Sequence, residues 1–248
     1  MPDAKTDPRL NLPQGGENTI FQVTAGVSAL RAAPEPDAEM VSQALHGEWV
    51  TLHHEVGEFG LVQNHTDGYV GWALMAALSA PALPVTHRVS ALRTYIYSAP
   101  DLKSAPRYMI CAGAKVVASG ETAGLVRTPG APDRPKFLHC ERAGWVVADH
   151  LVKNTLHGND PAGFAARYLH TPYLWGGRES LGLDCTGLTQ QAYGACGVTL
   201  PRDSDMQFAW TGEALSDWRA PGSLQRGDLV FWKGHVGIML DSETLLHA

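Results

Sequence analysis

One cysteine and two histidines near the carboxyl end of the sequence could carry out nucleophilic catalysis. Cys185 follows Asp184 where a loop-like stretch gives way to a helical pattern. Free backbone N–H groups and the helix dipole stabilise a thiolate at such a position. A thiol that acts at neutral pH also needs a base, and His235 opens an apolar segment just after a Lys-Gly turn. We therefore expect Cys185 to be a nucleophile and His235 its base.

A catalytic imidazole is usually oriented by a third group, and strand geometry offers His247 for this role. If residues 241–243 form a hairpin loop, Gly237 faces His247 on the next strand. His235 and Gly237 share a face because strand side chains alternate, so His247 is a diagonal neighbour of His235. A register slip of one residue would move His247 to the other face.

Five motifs surround these residues. They are Pro-Tyr-Leu-Trp-Gly-Gly at 172–177, Asp-Cys-Thr-Gly at 184–187, Leu-Pro-Arg-Asp-Ser at 200–204, Gly-Asp-Leu-Val-Phe at 227–231 and His-Val-Gly-Ile at 235–238. In order and spacing they resemble the NlpC/p-sixty family of cysteine peptidases, over about a third of the chain. The resemblance implies a papain-like α+β fold with Cys185, His235 and His247 as catalytic residues. It also implies hydrolysis of stem peptides in bacterial cell walls, often between γ-D-glutamate and a diamino acid. Family members usually continue through more strand after the position of His247. Either the sequence is cut there or the sheet is reduced, and a missing strand would leave the edge at His247 unpaired.

The same resemblance implies four substrate-contacting positions, namely Tyr173, Asp184, Thr186 and Ser204. Thr186 stands where the family usually has serine, which keeps a hydroxyl and adds a methyl group. Structural alternatives exist for three of these residues. Tyr173, like Trp175, could be a simple core aromatic. Asp184 could be only the N-cap of the following helix. Ser204 and Gln207 match a capping box, which makes a cap the preferred role of Ser204.

The segment before this unit predicts two small β-rich modules. Val-Ser-Ala-Leu-Arg occurs at 27–31 and again at 89–93, and each copy leads to a Gly-Trp pair followed by apolar residues. Pro, Gly, Asp and Asn interrupt short β-rich segments, a pattern typical of small barrels. It resembles bacterial SH3-like domains.

That arrangement is similar to γ-D-glutamyl-L-diamino acid endopeptidases, in which acidic and aromatic groups recognise the free amine of a terminal L-Ala. Carried onto this chain, one Glu and one Tyr of the first module should complete an amine pocket. We select Glu58 and Tyr69, with Glu55 as the next candidate.

The last unit predicts helices first and antiparallel strands after them, hence an α+β class. We expect helices starting at Asp160-Pro161, near Cys185 and at Ser204, then strands at 228–232, 235–240 and 244–247. A proline-rich loop is expected at 128–135. The resulting plan is a loose arm at 1–20, SH3-like modules at 21–80 and 85–153, and a catalytic domain at 160–248.

Composition excludes several other classes of protein. The 248 residues carry 19 Lys and Arg against 25 Asp and Glu, so a net charge of −6 gives no general attraction to nucleic acid or anionic membrane. Four scattered cysteines predict no disulfide framework, and the eleven histidines lack zinc-binding spacing. We expect no metal and no cofactor. The oligomeric state stays open.

The amino terminus lacks a basic segment followed by an apolar stretch, so the sequence predicts a cytoplasmic protein unless an export signal was removed. A cytoplasmic location favours recycling of muropeptides over attack on the intact wall. Two alternatives remain. The protein could be a non-catalytic binder of wall peptides, or another amidase or acyltransferase on the same fold.

Overall fold

The computed structural model describes residues 7–12, 18–123, 135–211 and 214–248. Residues 128–134 of the predicted proline-rich loop lie outside these ranges. The described chain forms three units in sequence, which we call module 1 (residues 19–79), module 2 (87–153) and the C-terminal unit (161–248).

Module 1 is an antiparallel sheet built from short apolar segments separated by Gly, Asp and Asn turns. In the described residues it has seven strands in the order β3-β2-β6-β5-β4-β1-β7. Every second residue points inward, so Val23, Leu30, Val50 and Val62 are completely buried in one core. The strands are β1 Thr19–Val23, β2 Val27–Arg31, β3 Met40–Leu45, β4 Trp49–Val56, β5 Phe59–Asn64, β6 Val70–Leu74 and β7 Leu78–Ser79.

Module 2 wraps two sheets around a core of its own. The described strands form a sheet in the order β10-β9-β14-β13-β12 and a smaller one in the order β11-β8-β15. Its core includes Val89, Ile96, Ile110 and Val146. The strands are β8 His87–Val89, β9 Arg93–Tyr97, β10 Pro106–Cys111, β11 Lys115–Val116, β12 Ala118–Ala123, β13 Lys136–Cys140, β14 Gly144–Val147 and β15 Leu151–Lys153.

The two modules repeat, but in a different register from the one that the sequence suggested. The first Val-Ser-Ala-Leu-Arg copy is strand β2, whereas the second copy starts at the end of β8, passes through a bend and reaches β9 only at its final arginine. The equivalent positions are instead pairs that share burial or backbone conformation. These pairs are Val23 with Val89, Leu30 with Ile96, and Gly47 (φ 80°) with Gly113 (φ 86°).

Part of the predicted loose arm is bound to the rest of the protein. The Arg9 carbonyl accepts a hydrogen bond from the Val70 backbone at 2.9 Å. The Arg9 guanidinium forms ion pairs with Asp7, Asp203 and Asp205 at 2.7–2.9 Å. Two carboxylates of the C-terminal unit therefore hold this part of the arm against module 1.

The C-terminal unit confirms the α+β class, with helices before strands. Asp160 caps the first helix by accepting from the Gly163 N–H, and proline occupies the first turn as expected. The strands lie in the order β18-β19-β20. The elements are α1 Pro161–Ala166, β16 Arg178–Glu179, β17 Gly182–Leu183, α2 Cys185–Ala195, α3 Ser204–Trp210, β18 Leu229–Trp232, β19 His235–Met239 and β20 Leu245–Leu246.

Helices α1 and α2 pack against β19 through Ala165, Leu188 and Ile238, and Leu92 and Ala112 of module 2 extend this core. Module 1 contacts the same unit through buried polar groups.

Arg178 links the C-terminal unit to module 1. Its guanidinium is fully buried and donates to both carboxylate oxygens of Glu48, at 3.1 and 3.2 Å, and to the Gln43 carbonyl. Although burial alone would raise the pKa of Glu48, the charges of Arg178 and Lys115 hold it at about 2. The acid is therefore ionised, and the interface contains a permanent ion pair.

Candidate active site

Cys185 is the first residue of α2. Asp184 is the N-cap, with extended backbone, and its carboxylate accepts a hydrogen bond from the Gly187 N–H at 2.8 Å. The first N–H groups of a helix have no partner inside it, so the cysteine lies among free donors. Its side chain is largely covered, and the residue is 5% exposed.

The Trp-Gly-Gly loop packs directly on the start of α2 and needs its glycines. Gly176 has φ 76°, and a Cβ there would lie 2.5 Å from the Met40 carbonyl oxygen of module 1. A Cβ at Gly187 would clash with the carbonyl oxygen of Gly177. The two motifs Pro-Tyr-Leu-Trp-Gly-Gly and Asp-Cys-Thr-Gly therefore form one packed unit beside the cysteine.

His235 and His247 lie together as the strand register predicts. Ile238 pairs with Leu246, and the Leu240 N–H donates to the Thr244 carbonyl at 2.8 Å. The two imidazoles meet with Nε2 of His235 3.2 Å from Nδ1 of His247. Their rings are nearly perpendicular, at 81°. His247 can therefore orient His235.

Trp232 is a site residue that the sequence reasoning missed. It pairs with His235 across the β18–β19 turn. Its ring lies 4.7 Å from that of His235 and 5.7 Å from that of His247. A Trp three residues before the histidine, across a Lys-Gly turn, was the available signal. The indole restricts both imidazoles from one side.

Burial changes the electrostatics of the pair. It raises the pKa of the Cys185 thiol, with a contribution from the Asp184 carboxylate, while the backbone N–H of Val236 acts in the opposite direction. Burial, followed by repulsion from His247, lowers the pKa of His235. Desolvation therefore opposes the free N–H groups that were expected to stabilise a thiolate at the helix start. The two pKa directions together favour a neutral thiol and a neutral imidazole at rest.

Asp184 and Thr186 belong to a buried network beneath the cysteine. Arg202 is the largest fully buried side chain, and its guanidinium donates to both oxygens of Asp184, at 3.0 and 2.6 Å. The Thr186 hydroxyl donates to Asp184 at 2.9 Å, and Ser42 of module 1 accepts from Arg202. The structure thus gives Asp184 and Thr186 structural partners, and it places neither in a solvent-open pocket.

Ser204 is not the helix cap that its capping-box pattern indicated. The N-cap of α3 is Asp203, whose carboxylate accepts from the hydroxyl of Tyr69 at 3.0 Å. Gln207 bonds Thr189 instead of completing a box. Ser204 is the first residue of the helix, next to the point where Tyr69 reaches the C-terminal unit.

Tyr173 remains a candidate for substrate contact. It is half exposed, and burial together with the negative charges of Cys185 and Asp184 raises the pKa of its phenol. Its backbone bridges to Leu183, two residues before Cys185, so Tyr173 lies near the start of α2.

A module 1 carboxylate meets the Trp-Gly-Gly loop, but it is Glu39 and not Glu58. The Trp175 indole donates to Glu39 Oε1 at 2.8 Å. Glu58 and Glu55 are exposed at the hairpin between β4 and β5. Sequence reasoning missed Glu39 because the contact joins segments far apart in the chain.

The comparisons with known proteins agree with this geometry. The family model of NlpC/P60 matches residues 170–248, which include every motif around Cys185 and His235. The chain carries an NlpC/P60 domain. The model of the bacterial dipeptidyl-peptidase SH3 domain matches residues 30–78, so module 1 is an SH3 domain.

Curated relatives of the NlpC/P60 domain carry peptidase names. Dipeptidyl-peptidase 6 of Lysinibacillus sphaericus is 33% identical over 115 residues, 46% of this chain and 39% of that protein. Gamma-D-glutamyl-L-lysine dipeptidyl-peptidase of Bacillus subtilis is 37% identical over 92 residues, 34% of this chain and 29% of that protein. The matched segments therefore span less than two fifths of these relatives.

A solved structure shares the fold of the chain beyond the NlpC/P60 domain. An NlpC/P60 family protein from Bacillus cereus ATCC 10987 superposes with a TM-score of 0.74, over 92% of this chain and 90% of that one, at 19% identity.

The described residues hold no cluster of three or more His, Cys, Asp or Glu side chains that could bind a metal. Within the same residues, no helix combines the length and apolar character needed to cross a bilayer.

Proposed function

We propose that this protein is a cysteine peptidase that hydrolyses the γ-D-glutamyl–diamino acid bond of cell-wall stem peptides. The observation that carries the proposal is Cys185 at the start of α2, whose thiol meets the backbone N–H of Val236, the residue after His235, on the strand where His235 and His247 lie 3.2 Å apart. The name of the Bacillus subtilis relative, gamma-D-glutamyl-L-lysine dipeptidyl-peptidase, supports a glutamyl peptide as the substrate. Peptidoglycan fragments are then the partner, with neither nucleic acid nor membrane required.

The neutral resting pair suits general base catalysis. His235 Nδ1, the ring nitrogen that does not face His247, takes the proton from Cys185 as the sulfur attacks the scissile carbonyl. The free N–H of Cys185 donates to the oxyanion that forms. His235 then protonates the leaving amine, and a thioester remains. Finally His235 activates water, which hydrolyses the thioester and restores the thiol.

A free amine on the substrate would meet acidic groups from module 1. Glu39 is the carboxylate that contacts the Trp-Gly-Gly loop, and it replaces Glu58 in our assignment. Tyr69, bonded to Asp203, lies at the same interface. We assign to Glu39 the recognition of the L-Ala ammonium group. A peptide with that free end is a released fragment, which supports muropeptide recycling in the cytoplasm.

We also propose that two SH3-like barrels precede a papain-like core. Module 2 repeats the strand–bend–strand start of module 1 and the Gly-Trp strand followed by a short 3-10 turn. These shared features support a second SH3-like barrel. The helix that presents Cys185 to a sheet bearing His235 supports a papain-like core.

The test is digestion of L-Ala-γ-D-Glu-diaminopimelate, with products identified by mass spectrometry. We expect release of L-Ala-D-Glu by the native chain and by Cys196→Ala, and none by Cys185→Ala. Cys196 lies at the other end of α2, so it controls for loss of a thiol. Binding without cleavage by the native chain would indicate a wall-peptide binder. Cleavage of a different bond would indicate another amidase, and an equal rate on the N-acetylated peptide would exclude the amine pocket.

A further inference from the structure

A cavity of about 300 Å³ lies where module 1, module 2 and the NlpC/P60 domain meet. We call it the junction cavity. The carboxyl-terminal half of α2 borders it. The whole helix is roughly 15 Å long at 1.5 Å per residue. Cys185 is at the opposite end of that helix. The junction cavity is therefore separate from the catalytic pair, and nothing in the proposed mechanism uses it.

The charged residues around the junction cavity are mostly cations. Module 2 supplies Arg88 and Lys115, and the C-terminal unit supplies Arg167 and Arg178. The lining carboxylate is Glu48, which is already held by two hydrogen bonds from Arg178 and attracted by Lys115. Asp67 does not line the cavity itself, but its carboxylate accepts a hydrogen bond from the lining residue Gln190. Positive charge remains in excess even when Asp67 is counted.

Arg88 is the residue that points to a ligand. It is 9% exposed, and its Nη2 donates to the carbonyls of Leu156 and Ala195 at 2.7 and 3.2 Å. The Nε–H is buried and has no acceptor among the described residues. A buried N–H is normally satisfied, and the Nε edge of a guanidinium binds oxyanions.

The helix dipole is the main argument against an anion here, because the carboxyl end of α2 carries partial negative charge. Arg88 Nη2 covers the Ala195 carbonyl at that end. Arg167 donates to the Ser90 carbonyl and is otherwise exposed, so its remaining N–H groups are available to the cavity. The positive charge that remains after Glu48 and Asp67 are subtracted outweighs the residual dipole.

We propose that the junction cavity binds a compact oxyanion, a phosphate or a carboxylate, on Arg88 and Arg167. The bound group would contact module 2 and the C-terminal unit together, and it would stabilise their packing. The proposal does not depend on the identity of the peptide substrate.

The test measures the unfolding temperature of the full chain while inorganic phosphate is titrated, with sodium chloride at matched ionic strength as the control. Binding to the folded state gives a saturable rise, whereas salt screening does not saturate in this way. Sodium acetate, titrated in parallel, distinguishes carboxylate from phosphate. We expect half-saturation by the better anion to weaken about tenfold in Arg167→Gln, the scale of one lost charge-assisted hydrogen bond. Arg226→Gln, outside the cavity, should titrate as the native chain does.

Arg88→Gln should abolish the saturable rise, but it also removes hydrogen bonds to Leu156 and Ala195 and could unfold the chain. Arg167→Gln therefore decides the matter, since its residue is exposed. No saturable rise with either anion overturns the proposal. The same conclusion follows if Arg167→Gln and the native chain titrate alike. Peptidase activity is not a readout, so failure here and failure of the proposed function are distinguishable.

Discussion

Replacing Arg202 by methionine would leave the Asp184 carboxylate charged and buried beneath Cys185. The side chains of the pair are 1% and 6% exposed, and their closest atoms are 2.6 Å apart. Methionine fills a similar length without charge. The perturbation therefore removes one partner of a buried ion pair and leaves the other in place.

Removing one partner of a buried pair costs about 3–5 kcal/mol, because an uncompensated charge remains. Asp184 keeps three donors after the change, namely the N–H groups of Gly176 and Gly187 and the Thr186 hydroxyl. We therefore expect a loss at the lower end, about 3 kcal/mol. In a chain of this size that corresponds to a fall in the unfolding temperature of about 6–12 °C.

The assay is urea and thermal unfolding followed by tryptophan fluorescence. The chain contains a matched control, since Asp160 is also a helix N-cap bonded to an arginine, Arg226, at 2.8 Å. That pair is about half exposed. Water can replace the lost partner of an exposed pair, so Arg226→Met should leave the midpoint unchanged within error.

A second variant isolates the charge. Asp184→Asn with Arg202→Met removes both charges and keeps a side chain able to cap α2. We expect it to unfold at a higher temperature than Arg202→Met alone. Equal midpoints for Arg202→Met and Arg226→Met, or a double variant less stable than the single one, would refute the assignment of Arg202 as the counter-ion of a buried cap.

Three further outcomes follow from the site. Because burial raises the pKa of Cys185 and lowers that of His235, alkylation by iodoacetamide should keep accelerating above pH 9, and a plateau below pH 7 would reveal an ion-paired thiolate instead. Trp232→Ala should lower kcat about ten- to a hundredfold, because the two imidazoles would no longer be held in position. Trp232→Phe should retain most of the activity. An equal loss in both variants would assign the effect to something other than ring packing. Glu39→Gln should reduce kcat/KM about tenfold for the peptide with a free amine but not for its acetylated form. Glu58→Gln should leave kcat/KM unchanged for both peptides. A loss of kcat/KM in Glu58→Gln would instead support Glu58 as the residue that binds the amine.

Local signals in the sequence predicted the strand register that brings His235 and His247 together and the start of the helix at Cys185. The hairpin register follows from Asp241, whose carboxylate accepts from the N–H groups of Glu243 and Thr244 at 2.9 and 2.7 Å. That turn lies within a few residues of both strands, so the pairing of Leu240 with Thr244 could be read from the sequence. The start of α2 at Cys185 was equally local, because Asp184 is a strong N-cap.

Contacts between distant segments could not be predicted in this way. Glu39 and Trp175 belong to different units, and nothing near either residue indicates the other. The direction of the pKa shift of Cys185 depends on desolvation by burial, which no helix-start rule contains. The predicted alignment of the two modules differs from the structure for a related reason. The prediction aligned identical residues, whereas the fold repeats buried positions such as Val23 and Val89.

The buried pair of Arg178 and Glu48 has a consequence for how this protein could evolve or be engineered. Arg178 of the C-terminal unit is buried against Glu48 of module 1, so the stability of each unit depends on the presence of the other. Excising the C-terminal unit would remove the Glu48 carboxylate and the Gln43 carbonyl that accept from Arg178. A different domain in the place of module 1 would need an acid at the position of Glu48 to keep this ion pair.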